Sequence, residues 1–143
     1  MPGYQKLLVL LDLSKDSDQV ATAARDLAAY SNAAIVALHV VEFIPVEPMG
    51  ESLMPTVEIE DELVKRSHEQ LQALAARLGL ARATLRVEAG NTKAEILRVA
   101  AEEAADLIVV GSRERHGLAI LVNFTEDTVL HAARCDVLAV RLR

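Results

Sequence analysis

The sequence predicts an α/β fold in which an open parallel β-sheet carries helices on both faces. Two observations carry that expectation. Unbroken apolar runs at residues 7–11, 33–38 and 107–110 are too short for stable helices and suit strands buried on both faces. Between such runs, apolar residues recur at helical spacing, and strands that alternate with helices imply parallel neighbours joined by crossovers. The composition agrees. Of the 143 residues, 52% are apolar but only 3% aromatic, so Leu, Val, Ile and Ala must build the core.

Residues 7–11 give the first strand. Val20, Ala24, Leu27, Ala28 and Ser31 then mark one face of a first helix. Ser14 is its expected N-cap, and Asp16 and Asp18 suit the positive end of its dipole. A second strand spans 33–38. The stretch 42–56 holds Pro45, Pro48 and Pro55 and reads as a loop. Its Phe43, Met49 and Met54 have two roles open to them, covering the core or meeting a ligand or partner. Leu63, Val64, Leu71, Leu74, Ala75 and Leu78 mark a long second helix that ends near Gly79, a natural C′ residue. Residues 84–88 alternate, with Leu85 and Val87 against Arg86 and Glu88, as in a half-exposed edge strand. Thr92 with Glu95 reads as the capping box of a third helix that buries Ile96, Val99 and Ala100. After the fourth strand, at 107–110, a fourth helix is expected over about 124–133, with Val129, Ala132 and Ala133 inward. Residues 137–140 give a fifth strand. The order is βαβαβαβαβ in one domain spanning residues 1–143.

Several function classes are disfavoured at this level. The formal net charge of −6 repels a phosphate backbone, and the one basic cluster, Arg113, Arg115 and His116, reads as a solvated loop. Aromatics are too few for a base-stacking platform. No nucleic-acid partner is therefore expected. Cys135 is the single cysteine, so it forms no intrachain disulfide, and its apolar neighbours suit a small buried residue rather than a nucleophile. The N-terminus lacks a signal-peptide pattern, and no apolar run approaches the ~20 residues of a membrane helix. A cytoplasmic chain without membrane contact is the expectation. No His, Cys or acid cluster has metal-ligand spacing. His39 reads as a hydrogen-bonded structural residue near a strand end, and His68 and His131 as solvent-facing helix residues.

In an open parallel sheet, ligands bind beyond the carboxyl ends of the strands, where the strand order reverses. Asp12 closes the first strand and Gly111 the fourth. A carboxylate there can accept ribose hydroxyls, and a glycine lets a ligand approach the backbone. Each also has a purely structural role available. Asp12 can cap the first helix or its turn, and Gly111 can permit a tight turn.

Together, Asp12-Leu13-Ser14, Leu38-His39-Val40, the run Asp-Leu-Ile-Val-Val-Gly-Ser at 106–112 and Cys-Asp-Val-Leu-Ala-Val at 135–140 resemble the universal stress protein family. The resemblance covers essentially the whole chain. It implies a Rossmann-like, five-stranded parallel sheet in the order 3-2-1-4-5, of the adenine nucleotide alpha hydrolase type, and usually a homodimer. It implies nucleotide-binding roles for Asp12, Val40, Gly111, Arg113 and Thr125. ATP-binding members carry a loop of the form Gly-x-x-Gly followed, further on, by Gly-Ser or Gly-Thr. Its glycines let backbone amides reach the phosphates. Here the loop opens at Gly111-Ser112-Arg113, but Glu114 replaces the second glycine, and Asn123-Phe124-Thr125 stands where Gly-Ser-Thr is expected.

These departures oppose a triphosphate. Glu114 adds charge and bulk, Phe124 adds bulk, and Glu126 and Asp127 fill the first turn of the fourth helix. At ~5 Å and an effective dielectric of ~20, each like-charge pair costs on the order of 3 kcal/mol before screening. Arg113, Arg115 or a bound Mg²⁺ offsets part of that. Three readings follow. The first is a non-enzymatic stress-response or regulatory homodimer joined through its fifth strand, with no cofactor or only weakly held ATP or AMP with Mg²⁺. The second is an ATP- or AMP-binding switch. The third, a slow nucleotide hydrolase, lacks any motif for a base or nucleophile.

Overall fold

Five strands form one parallel sheet in the order β3-β2-β1-β4-β5. The computed structural model describes residues 3–42, 56–112, 129 and 131–143. The elements are β1 (Lys6–Leu10), α1 (Ser17–Ser31), β2 (Ala34–Val41), α2 (Thr56–Arg77), β3 (Thr84–Ala89), α3 (Thr92–Glu102), β4 (Leu107–Ser112) and β5 (Asp136–Arg141). Val129, His131 and Ala132 are helical. The remainder of the expected fourth helix, and nearly all of the 42–56 loop, lie outside the described residues.

Successive side chains of a strand point to opposite faces, and the apolar runs fill both. Leu7, Val9, Leu11, Ala37, Leu107 and Val109 pack with Val20, Ala21 and Ala24 of α1 and with Leu71, Leu74 and Ala75 of α2. Leu8, Val36, Leu38, Ile108 and Val110 pack with Ile96 and Val99 of α3 and with Val129. Both faces of the sheet are thus covered by helices. The two edge strands are β3 and β5. On β3, Leu85 and Val87 join the core on the α1–α2 side, whereas Arg86 and Glu88 are tied into ion pairs with Arg98, Glu102 and Glu103 of α3 and its C-terminus.

The helix starts correct the sequence reading. The N-cap of α1 is Asp16, not Ser14, and its side chain makes no capping bond. Ser14 is instead drawn into the β1–α1 turn, where its N–H and hydroxyl donate to Asp12. The N-cap of α3 is Asn91, whose side chain accepts from the Ala94 N–H, so the Thr92–Glu95 capping box does not form. Thr92 turns to Glu42, and Glu95 pairs with Arg98. Ala132 is exposed rather than inward, and Cys135 is half-buried.

The helix ends share one device. Ala33, Leu80 and Ala105 each donate a backbone N–H to the carbonyl five residues back, at Ala28, Ala75 and Ala100. The residue before each donor is left-handed: Asn32 (φ 54°), Gly79 (φ 75°) and Ala104 (φ 53°). This is the six-to-one bond of the Schellman motif, which satisfies carbonyls that the helix leaves open.

Candidate functional site: the crevice between β1 and β4

The sheet reverses its direction of winding between β1 and β4, and there the two strands part. Their pairing ends at Val9↔Val109. Beyond that point β1 stays with β2, and Leu11 N–H donates to the Leu38 carbonyl at 2.8 Å. On the other side β4 stays with β5 through Gly111↔Val140 and Ser112↔Arg141. A crevice therefore opens at the carboxyl end of the sheet, with residues 10–12 on one lip and 110–112 on the other. This is the place where ligands of open α/β sheets bind.

Asp12 stands exposed on the first lip. Its Oδ1 accepts from the Ser14 N–H at 2.9 Å, the Ser14 hydroxyl at 2.7 Å and the Ser17 hydroxyl at 2.8 Å. Ser17 is only 1% exposed, so its hydroxyl needs that partner. Between Asp12 and Ser14 the chain passes through Leu13 at φ 63°, a costly conformation for a leucine. Asp12 thus shapes the turn that leads into α1, and one of its oxygens is engaged by that turn.

Gly111 on the other lip lies within β4 and is not left-handed, so no tight turn requires it. Packing does. A Cβ here would come 3.1 Å from Val20 Cγ2 and 3.2 Å from Leu142 Cδ1. Leu142 is held over the glycine by its N–H, which donates to the Ser112 carbonyl at 2.9 Å. The next residue, Arg143, is clasped by Gln19, whose side-chain amide both donates to its carbonyl and accepts from its N–H at 3.0 Å. The last residues of the chain thus seal the α1 side of Gly111.

Val40 is 8% exposed and its side chain belongs to the core on the α3 side. Arg113 and Thr125 lie outside the described residues, as do Glu114, Asn123 and Phe124. The structure therefore brings Asp12 and Gly111 to facing lips and places the Val40 side chain in the core. His39 Nδ1 lies 2.7 Å from the Leu11 carbonyl. A carbonyl only accepts, so Nδ1 carries the hydrogen, and the imidazole braces β2 against β1 in the structural role expected of it.

Beside the crevice, Glu42 follows β2 and accepts from both the N–H and the hydroxyl of Thr92. The Thr92 hydroxyl holds the Glu42 carboxyl below its ordinary value. A carboxylate of the chain itself thereby occupies the positive end of α3. Neither this contact nor the Gln19 clasp had a signal in the sequence, because each joins residues far apart in the chain. Among the described residues, no group of three or more His, Cys, Asp and Glu could hold a metal ion, and no helix is long and apolar enough to cross a membrane.

Comparison with known proteins gives a consistent picture. Residues 3–141 match the profile of the Universal stress protein family. The chain is 35% identical over 144 residues to universal stress protein A homolog 2 of Coxiella burnetii (strain RSA 493 / Nine Mile phase I), covering 100% of this chain and 99% of that protein. It is 33% identical over 141 residues to homolog 1 of the same organism, covering 98% of each. Among solved structures it is similar to a universal stress protein in complex with cAMP, with a TM-score of 0.73 and 24% identity over 98% of this chain and 99% of that one. At that identity the likeness shows the fold alone.

Proposed function

This chain belongs to the universal stress protein family, and we propose that within the family's stress-response role it acts as a non-enzymatic regulatory homodimer that binds ATP weakly or not at all. The observation that carries this reading is the trio Glu114, Asn123 and Phe124 at positions where ATP-binding members have Gly, Gly and Ser. A triphosphate needs close backbone approach and an open helix N-terminus, and these side chains add bulk and charge to both. The acids Glu126 and Asp127 add to that repulsion.

Calorimetric titration with ATP–Mg²⁺, ADP and AMP tests this directly. The unmodified protein is expected to show no submicromolar affinity for ATP. The combined variant Glu114→Gly, Asn123→Gly and Phe124→Ser is expected to bind it more tightly. Submicromolar binding by the unmodified chain overturns the proposal, as does ATP turnover above about 1 s⁻¹, the low end for dedicated enzymes, that is lost in Asp12→Ala.

A second reading, an ATP- or AMP-binding switch, is favoured by one feature. Asp12 and Gly111 stand on opposite lips of the same crevice, the position at which a nucleotide is expected in this architecture. Saturable AMP binding that disappears in Asp12→Ala would select it over the first.

A further inference from the structure

A hollow of about 280 Å³ opens on the α3 face, at the amino end of the sheet and so opposite the crevice. Its wall on one side is the C-terminal half of α3 and the turn that follows it, from Leu97 to Ala105. On the other side stand Ala132, Ala133, Arg134 and Cys135, and Ile108 of β4 forms part of the lining. Six of the ten lining residues among those described are alanines. Larger side chains at those positions would close the space, so the alanines are what keep it open.

Size and charge together define what fits. The volume is roughly twice the ~150 Å³ of an engineered apolar cavity that takes up benzene, and just below the ~300 Å³ where drug-sized pockets begin. That suits a short aliphatic chain. Among the described residues the lining holds one cation, Arg134, which has no ion pair or hydrogen bond with another described side chain. A guanidinium presents a planar fork that matches a carboxylate. Cys135 contributes apolar wall rather than reactivity, since burial, with Asp136 and Asp106 nearby, raises its thiol pKa above the ordinary value.

We propose that this hollow binds a short aliphatic carboxylate, with the chain against the alanines and Ile108 and the carboxylate on Arg134. Cys135 supplies the reporter. It is the only cysteine in the chain, so its alkylation by iodoacetamide at mildly alkaline pH reads this hollow without background. Octanoate is expected to slow the reaction saturably at millimolar concentration or below. Hexanoate and butanoate should be progressively weaker, by up to about fourfold for each methylene removed. Octan-1-ol, equally apolar but uncharged, should protect at least tenfold less well.

Arg134→Gln should remove the preference for octanoate and leave octan-1-ol unchanged. Ala101→Phe, which fills the trough from its exposed side, should abolish protection while circular dichroism stays native. Chemical shift changes at the Ile108 methyl groups give a second readout that does not pass through the thiol. Absence of saturable protection at millimolar octanoate, without shifts at Ile108, overturns the site. Equal protection by octanoate and octan-1-ol, unaffected by Arg134→Gln, overturns the assignment of a carboxylate ligand.

Discussion

Asp106 stands just before β4 and accepts the backbone N–H groups of Gln5 at 2.8 Å and Lys6 at 3.0 Å, while its own N–H donates to the Lys6 carbonyl. One side chain thereby joins the amino ends of β1 and β4. The Gln5 N–H is the main reason its carboxyl sits below its ordinary value, with the Lys6 N–H adding to the effect against the opposing pull of desolvation. A carboxyl whose folded pKa is depressed adds stability above its unfolded pKa, and that stability is lost as pH falls through the folded one. Asp106→Asn is therefore expected to lower stability by about 1.5–3 kcal/mol at pH 7, the range for hydrogen bonds to a charged group. The gap should shrink once pH drops below the unfolded value near 3.8. Urea midpoints of both proteins at pH 7 and in acid measure it. Ala104 offers the opposite change. Its left-handed backbone costs roughly 1–2 kcal/mol, against about 0.5–1 kcal/mol of extra chain entropy for glycine. Ala104→Gly is expected to raise stability by about 0.5–1 kcal/mol, read as a higher thermal midpoint. No such gain is expected at Leu13, which shares the left-handed geometry but packs its side chain on the core.

At the scale of elements, the legible features were those written in continuous local pattern. The apolar runs located β1, β2 and β4, and the alternation at 84–88 identified β3 as an edge with Leu85 and Val87 inward. Helix starts were misplaced where several capping residues crowd together. Asp12, Ser14, Asp16, Ser17 and Asp18 all suit a cap by type, and Ser14 was lost to α1 because Asp12 bonds it first. Asn91 and Thr92 compete in the same way, and the partner that draws Thr92 aside, Glu42, is remote in sequence. Gly79 announced its helix end, whereas Ala104 has no sequence signature for a left-handed residue. The ion pairs between β3 and α3 were equally unreadable, since they depend on which side chains meet. Their members are unequal. Arg86 is 19% exposed and lies 3.3–3.4 Å from Glu88, Glu102 and Glu103. Arg98 is 43% exposed and pairs with Glu88, Glu95 and Glu102 nearer the solvent. Removing Arg86 leaves three carboxylates together at a half-buried site, which is expected to cost about 1–3 kcal/mol. Arg98→Ala should cost less, in keeping with exposed pairs that solvent screens. Denaturant midpoints of the two variants rank them, and a larger loss for Arg98→Ala would reverse that assignment.

Across the whole molecule, the two sheet edges are defended differently, and this bears on assembly. The sheet order, read from the family resemblance, leaves β3 and β5 as edges. β3 carries Arg86 and Glu88 turned toward α3, and charges so placed discourage edge-to-edge pairing. β5 has no equivalent through its middle, where Val137, Leu138, Ala139 and Val140 follow one another and Leu138 is 37% exposed. No proline interrupts it. Two copies meeting antiparallel along β5 would satisfy both open ladders in a closed two-fold contact. The expected species in solution is therefore a dimer of twice the 15.5 kDa chain. Sedimentation equilibrium at micromolar concentration decides the point, and a mass near that of one chain refutes the dimer. The interface is then located by two variants. Leu138→Lys adds charge to an exposed side chain without altering the backbone ladder and is expected to weaken the dimer. Leu138→Pro breaks the ladder itself, with retained helical circular dichroism as the control that the subunit still folds. A dimer that withstands both changes with its fold intact would lie on another surface. Arg86→Ala supplies the contrast at the opposite edge. It is expected to lower subunit stability without changing the association constant, because only the β5 edge is proposed to pair.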